Sequence, residues 1–449
     1  MSSMDVAWSE RLSSAPDLLA VHRARPDDWP FLLASTATSP KLGRYSLLLF
    51  QSGPGFGLSQ PAPGERVQAC PDFFRRLSGL VEAANPAPST RWPFIGGWFV
   101  YLGYELAVSI EPTLELPAAD DELPVAWVSP CPAALIIDHT LGHCDLVAES
   151  EAMLDAARSS LQAALRSPST STGIPRLALD SDPGGRFKAG VERIREWILA
   201  GDVFQVNLSR AWRGEAAREI DASAVFEALA EANPAPFAGL AKLPGATVVS
   251  SSPERLVELR GRDVQTRPIA GTRPRGETDH ADRSLSAELM GHPKERAEHI
   301  MLIDLERNDL GRVCEAGSVE VDELMVVESY AHVHHIVSNV RGRLRPELGA
   351  AELIRAVFPG GTITGCPKVR CMEIIAELEA QGRSFYTGSM GYLSRDGQMD
   401  LNILIRSLSV SGNRLGFRTG AGIVADSDPD AELAETQAKA RGLLRALEP

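Results

Sequence analysis

A chain of 449 residues, 44% hydrophobic and 23% charged, has the make-up of a globular protein. It is long enough for one large α/β domain or for two to three ordinary ones. A formal net charge of -14 excludes a protein that holds nucleic acid through a basic surface.

In chain order, the opening MSSMDVAWSERLSS lacks the basic-then-apolar order of a secretory signal, so a cytoplasmic chain is expected. The longest apolar run, residues 95–110, contains Glu105 and several glycines. It is too short and too polar to span a bilayer, so no membrane partner is expected. Cys70, Cys131, Cys144, Cys314, Cys366 and Cys371 show no CxxC pairing, which favours reduced thiols over a disulfide framework or a zinc site. Residues 167–185, SPSTSTGIPRLALDSDPGG, are rich in Ser, Thr, Pro and Gly and read as a connecting loop between 1–165 and 187–445. No repeat at solenoid periods is present.

Past that loop, strand-like and helix-like runs alternate, as in α/β or α+β folds. Val191, Ile194, Trp197 and Ile198 recur at helical spacing. GDVFQVNLSRAW (201–212) then reads as a turn and a strand. ATVVS is an apolar strand that ends in SSPERL (251–256), where the carboxyl group of Glu254 sits at the strand end. Partly buried there, it would have a raised pKa and serve as a general acid; the alternatives are a turn residue or an ion pair with Arg255. QTRPIAGTRPRG (265–276) packs Arg267, Arg273 and Arg275 around a small Ala270, and the three arginines read as loop ion pairs.

Residues 294–310 have helix-forming composition and set Glu295 and Glu298 three apart, on one face. HVHH (332–335) on a strand turns His332 and His334 one way and His335 the other. Too few ligands surround it for zinc, so a structural or substrate-contacting histidine is the better reading. FPGGTITGCPKVR (358–370) is a Gly- and Thr-rich loop leading to a helix that starts at Pro367. It is either a simple turn or an anion cradle. Cys366 stands where a P-loop requires lysine, so it is not an ATP site. A meander follows, turning at Asp396-Gly397 and Gly412-Asn413. Within it, RTGAGIV (418–424) places Gly420 and Gly422 where backbone can approach a ligand closely, or where a bulge forms. The last helix opens with Asp428 as N-cap and Pro429 at its first position. On it Glu432 and Glu435 are three apart, with Lys439 four further on. Two helices presenting carboxylates inward would suit Mg²⁺; the bland alternative is a solvated face with Lys294–Glu298 and Glu435–Lys439 as ordinary pairs.

Taken in order, QVNLSR, SSPERL, RPIAGTRPRG, KERAEHIMLIDLERNDLGR, HVHHIVS, FPGGTITGCPK, FYTGSMGY, LNILIRS, FRTGAGIV and ELAETQAKA resemble the chorismate-utilising enzymes. That family includes anthranilate synthase component I, aminodeoxychorismate synthase component I, isochorismate synthase and salicylate synthase. The resemblance covers about residues 187–445, and GGWFVYLGYELA (96–107) is similar to the N-terminal region of the amine-transferring members. It implies one large α/β (α+β) sandwich of two mostly antiparallel sheets flanked by helices, so that 167–185 is an internal loop.

It also implies roles. Glu298 and Glu435 would hold Mg²⁺ on the ring carboxylate of chorismate, with Glu295 and Glu432 in support. Tyr386, Arg406 and the backbone near Gly420 and Gly422 would meet the enolpyruvyl carboxylate, and Lys439 would add positive charge. Thr362 would close over the ring, Thr272 would hydrogen-bond nearby, and His335 would lie against the substrate and move a proton. Glu254 would protonate the departing C4 hydroxyl.

Water-adding members resemble one another in having a lysine base at the position of Gln205. An amide cannot act so, which implies ammonia from a separate glutamine amidotransferase subunit. Asn207, NPAPFAGL (233–240) and FLLAST (31–36) resemble enzymes that make 4-amino-4-deoxychorismate more than those that make anthranilate under tryptophan feedback. Ala270 points the other way, since some aminodeoxychorismate synthases carry a nucleophilic lysine there.

Overall fold

The computed structural model describes residues 7–37, 42–84, 91–167, 170–276, 278–291, 293–329 and 333–448. Among these residues the strands form two large antiparallel sheets. One has twelve strands. Trp8–Arg11, His143–Ala148, Ala133–Asp138, Tyr45–Phe50 and Phe31–Ala34 come first, followed by Phe237–Lys242, Thr247–Ser252, Ser407–Ser411, Arg414–Ile423, Gln205–Ala216 and Gly365–Cys366. The twelfth, Leu177–Ser181, pairs with Gln205–Ala216. The other sheet has ten strands. Ile269–Pro274, Val333–Arg343, Asp263–Thr266, Arg255–Arg260 and Met399–Asn402 are followed by Ser389–Ser394, Gly97–Leu102, Ala126–Cys131 and Phe56–Leu58. Its tenth, Glu320–Ser329, pairs with Val333–Arg343.

Runs such as YSLLLF are apolar on consecutive residues because both faces of the sheets are covered. Successive side chains point to opposite faces, so Leu47 and Leu49 join the core between the sheets while Leu48 joins the core on the outer side. Phe31, Phe99, Val248, Met390 and Tyr392 belong to the inner core, where the rings of Phe31 and Phe99 stack 3.9 Å apart across the two sheets. Outside the twelve-stranded sheet lie the helices Leu18–Ala24, Glu151–Arg166, Ala222–Ala232 and Pro429–Ala446. Outside the other sheet lie Pro71–Ala84, Pro293–Gly311 and Ala350–Val357. Each fully buried large apolar side chain contributes about 1.5–3 kcal/mol, and these layers contain dozens.

Local signals fall where the residues dictate. The helix Gly184–Ala200 ends at Gly201, whose φ of 85° suits a residue without Cβ. Asp428 caps the last helix by accepting from the amides of Asp430 and Ala431, with Pro429 following. Two stretches differ from expectation. Residues 167–185 are not loop throughout: Leu177–Ser181 is an edge strand, and the next helix begins at Gly184. The arginine-rich stretch is likewise not a loop. Ile269–Pro274 is an edge strand on Val333–Arg343, bulged at Gly271, where φ is 69°. In both cases the pairing partner, remote in sequence, overrides weak local β-propensity.

The six cysteines are free thiols. No helix among the described residues is long and apolar enough to cross a membrane. Strands from before residue 165 and after residue 187 share both sheets, as two blocks that meet at one junction in each. Phe31–Ala34 pairs with Phe237–Lys242, and Gly97–Leu102 pairs with Ser389–Ser394. Residues 187–449 expressed alone should therefore show no cooperative thermal transition, because two sheet edges and the inner core would be left open; circular dichroism melting checks this.

Candidate active site

A cavity of about 970 Å³ opens where the strands Gln205–Ala216 and Arg414–Ile423 meet the helices Pro293–Gly311 and Pro429–Ala446. Gln205, Glu254, Ala270, Glu295, Glu298, His335, Thr362, Tyr386, Arg406, Gly420, Gly422, Glu432, Glu435 and Lys439 all line it. Of the residues singled out from sequence only Thr272 is missing. Its side chain lies outside the described residues, although its backbone pairs in register with His335. The side chain of Lys294 and all of His332 also lie outside them.

Glu254 follows the strand Thr247–Ser252 and is 4% exposed. Thr362 Oγ1 donates to its Oε1 at 2.8 Å. Burial pushes its carboxyl up to about 8, with the Thr362 bond working against that and the nearby Glu306 adding to it. The sequence left open an ion pair with Arg255, but that guanidinium turns to Asp400 at 2.9 Å. Glu254 is thus a protonated, hydrogen-bonded acid at neutral pH. His335 shifts the opposite way, down to about 4, through burial and the proximity of Arg406. It is an uncharged imidazole at neutral pH. Its neighbour His334 is occupied elsewhere, with Ser329 at 2.7 Å and Asp282 at 2.9 Å.

The glycine-bearing strand explains why glycine is needed. In the ladder Asn207 faces Gly422 and Ser209 faces Gly420. A Cβ on Gly420 would come within 2.8 Å of the Tyr386 hydroxyl, and one on Gly422 would overlap the amide of Gln205. Gln205 donates from Nε2 to Glu298 Oε1 at 2.6 Å. Its Oε1 and the Oδ1 of Asn207 are buried without a hydrogen-bond partner. Lys439 Nζ donates to the Gly420 carbonyl at 2.9 Å and pairs with Glu435 at 2.7 Å, so the ordinary i,i+4 pair is present at the cavity wall. Tyr386 is 4% exposed, and burial pushes its hydroxyl up to about 12.

Glu295 pairs with Arg273 at 2.6 Å through one oxygen, while its Oε2 is buried without a hydrogen-bond partner. The other arginines of that stretch face away, Arg267 to Glu323 and Glu328, Arg275 to Asp282. They are structural ion pairs, as the sequence implied. Among the described residues no three His, Cys, Asp or Glu side chains form a ready-made metal cluster.

Sequence reasoning missed Arg418, which lines the cavity and is 7% exposed. It is the first residue of RTGAGIV, two before Gly420, but nothing local marks its direction; only the ladder register does. A second cavity, of about 660 Å³, lies elsewhere and is lined by Ser35, Pro236 and Phe237 from the two segments quoted above. Its carboxylates, Glu258 and Asp400, are both tied to arginines, Arg260 at 3.0 Å and Arg255 at 2.9 Å.

Residues 63–445 match the chorismate binding enzyme family. A Synechocystis sp. protein named anthranilate synthase component I-like protein is 44% identical over 419 residues, covering 91% of this chain and 84% of its own. Aminodeoxychorismate synthase component 1 of Salmonella typhimurium is 41% identical over 368 residues, covering 81% and 79%. The crystal structure of anthranilate synthase component I from Streptococcus pneumoniae TIGR4 superposes with a TM-score of 0.78 at 30% identity, over 90% of this chain and 93% of that one.

The raised acid has a measurable consequence. A carboxyl whose folded pKa lies above its unfolded value contributes stability that is complete below the ordinary value of 4.5 and is lost progressively as pH rises from there through about 8. Glu254→Gln, which cannot ionise, should melt closest to the native protein near pH 4 and well above it near pH 9; scanning calorimetry at the two pH values reads the difference.

Proposed function

The chain belongs to the chorismate-binding enzyme family, and we propose that it aminates chorismate with ammonia delivered by a separate glutamine amidotransferase subunit. The product we infer is 4-amino-4-deoxychorismate, the reaction of aminodeoxychorismate synthase component I, on the route to p-aminobenzoate and folate. The observation that carries amination is Gln205. The residue facing the substrate at this position is an amide bonded to a carboxylate, which cannot deprotonate water. Ammonia is a good nucleophile as the neutral molecule, whereas water needs a base to attack.

Chorismate is a dianion with a poor leaving group at C4. Glu254, protonated at neutral pH, delivers its proton to the C4 oxygen as the bond to carbon breaks and water leaves. Thr362 holds that carboxyl in place. Arg406, Tyr386 and Lys439 supply positive charge and donors on the side of the enolpyruvyl carboxylate. His335, uncharged at neutral pH, can relay the proton that the nitrogen sheds after it attacks.

Mg²⁺ fits the carboxylate wall. The donors are all oxygens, and Glu295 Oε2 is buried without a hydrogen-bond partner. Glu298 and Glu435 would hold the ion, supported by Glu295 and Glu432; when bound, it withdraws electron density from the ring through the ring carboxylate.

The second cavity supports the C4 product. Both of its carboxylates are committed to arginines, which leaves no acidic partner there for the ammonium group of a feedback amino acid. One observation favours the alternative, anthranilate with loss of pyruvate. Ala270 lines the substrate cavity, so no amine at that position can occupy C2 ahead of ammonia. The C4 product then requires two successive ammonia additions.

Purified protein given Mg²⁺, chorismate and high ammonium near pH 8 should consume chorismate without a partner; no consumption overturns the reading. Coupled to a separate lyase it should yield p-aminobenzoate, whereas fluorescent anthranilate with pyruvate would establish the alternative. Ala270→Lys should keep the fold and change the rate or site of amination in the same assay. A Glu298→Gln/Glu435→Gln protein should lose Mg²⁺ binding by titration calorimetry along with activity, and unchanged binding would sink the metal assignment.

A further inference from the structure

Behind the cavity wall lies an ion pair that no role above employs. Arg383 and Glu379 are each about 1% exposed, and Arg383 Nη2 reaches Glu379 Oε1 at 2.6 Å while Nε reaches Oε2 at 3.0 Å. The remaining donors of the guanidinium go to three other segments. Nη1 donates to the carbonyl of Ile363 at 3.1 Å and to Thr387 Oγ1 at 3.3 Å, and Nη2 donates to the carbonyl of Asn207 at 2.7 Å. Each of these acceptors is within two residues of a side chain that faces the substrate. Ile363 follows Thr362, Thr387 follows Tyr386, and Asn207 lies two residues past Gln205. The guanidinium also stands between two rings, 5.0 Å from the centre of Tyr104 and 5.6 Å from that of Tyr386.

Glu379 extends the same frame. Its Oε1 accepts from the amide and hydroxyl of Ser209 at 2.9 and 2.8 Å, and its Oε2 accepts from Arg418 Nη2 at 2.7 Å. The loop that carries Tyr386 needs such support. Ser384 and Thr387 on either side have φ of 53° and 63°, in the left-handed region that costs residues with a Cβ. Glu105 takes up the amides of Arg383 and Ser384 at 2.6 and 3.1 Å from the other side.

A buried ion pair adds little net stability over an apolar pair of the same shape. What a planar five-donor group supplies is a fixed relation among acceptors that no lysine can span. We propose that the Arg383–Glu379 pair is the positioning element of this site, holding Thr362, Tyr386, Gln205 and Arg418 in one mutual geometry. The kinetic part of this inference rests on the proposed chorismate-aminating activity; the structural part does not.

The test uses the full chain with ammonium as nitrogen source. Arg383→Lys keeps the charge and removes the span. It should lower kcat roughly 10²-fold with KM little changed, as expected for misplacement by about an ångström. In that background Thr362→Val should cost far less than it does in the native protein, because the hydroxyl is already out of position. Native kcat in Arg383→Lys, or losses that multiply independently, overturn the proposal. Should Arg383→Lys fail to fold, Thr387→Val removes a single acceptor and should couple in the same way to Tyr386→Phe; independent losses there overturn it equally. Hydrogen exchange read by mass spectrometry supplies an arm free of activity. Segments 205–209, 361–364 and 384–388 should lose protection together in the variant, and unchanged or chain-wide exchange counts against it. A native protein that consumes no chorismate strikes at the proposed function and leaves this arm to decide the pair.

Discussion

The antiparallel register between Gln205–Ala216 and Arg414–Ile423 is the constraint on which the site depends. Asn207 lies opposite Gly422, Ser209 opposite Gly420 and Ala211 opposite Arg418. Because side chains alternate, this places two amides, two bare backbone positions and one guanidinium along a single face. A slip of one residue would turn that entire set to the opposite face of the sheet. The glycines make the register chemically useful, since they leave backbone within reach of Tyr386 and Gln205 where any Cβ would intrude. The helix Pro429–Ala446 packs on Arg414–Ile423, the helix Pro293–Gly311 packs on strands of the other sheet, and carboxylates of both line the cavity.

The electrostatics of the cavity follow from how little water reaches it. Burial raises Glu254 to about 8 and lowers His335 to about 4, so both are uncharged at neutral pH. Glu379, equally buried, is held below the usual carboxylate range despite desolvation, because Arg383 and Arg418 face it. Two equally buried carboxyl groups are thereby given opposite states by their neighbours. The neutral acid can donate, while the ionised one can only hold.

Much of this was legible in the chain. The end of an apolar strand located Glu254, helical spacing put Glu295 with Glu298 and Glu432 with Glu435, and paired glycines marked the strand 414–423. These signals are local and follow from period and backbone freedom. Strand Leu177–Ser181 and the pairing of Ile269–Pro274 were not legible, because their partners are remote and their own residues read as loop. Arg418 was missed for a related reason, whereas Arg383 and Glu379, only four apart, were missed because the helix ends at Glu379 and helical spacing no longer applies. Buried ion pairs form between residues such as Glu379 and Arg418, 39 apart, which no spacing rule joins. Thr362 was singled out as closing over a ring, yet its bond to Glu254 emerged only from the fold.

The hairpin of Ser407–Ser411 and Arg414–Ile423 sits in the middle of the twelve-stranded sheet, between Thr247–Ser252 and Gln205–Ala216. Ser389–Ser394 and Met399–Asn402 play the same part in the other sheet, joining Gly97–Leu102 to Arg255–Arg260. A ribosome making this chain thus releases the keystones of both sheets last. Until about residue 423 has emerged, the earlier strands wait with unpaired edges, the state in which β-rich chains associate with one another. Synthesis of this protein is therefore a race between the slow, long-range completion of its own sheets and the capture of those edges by other chains.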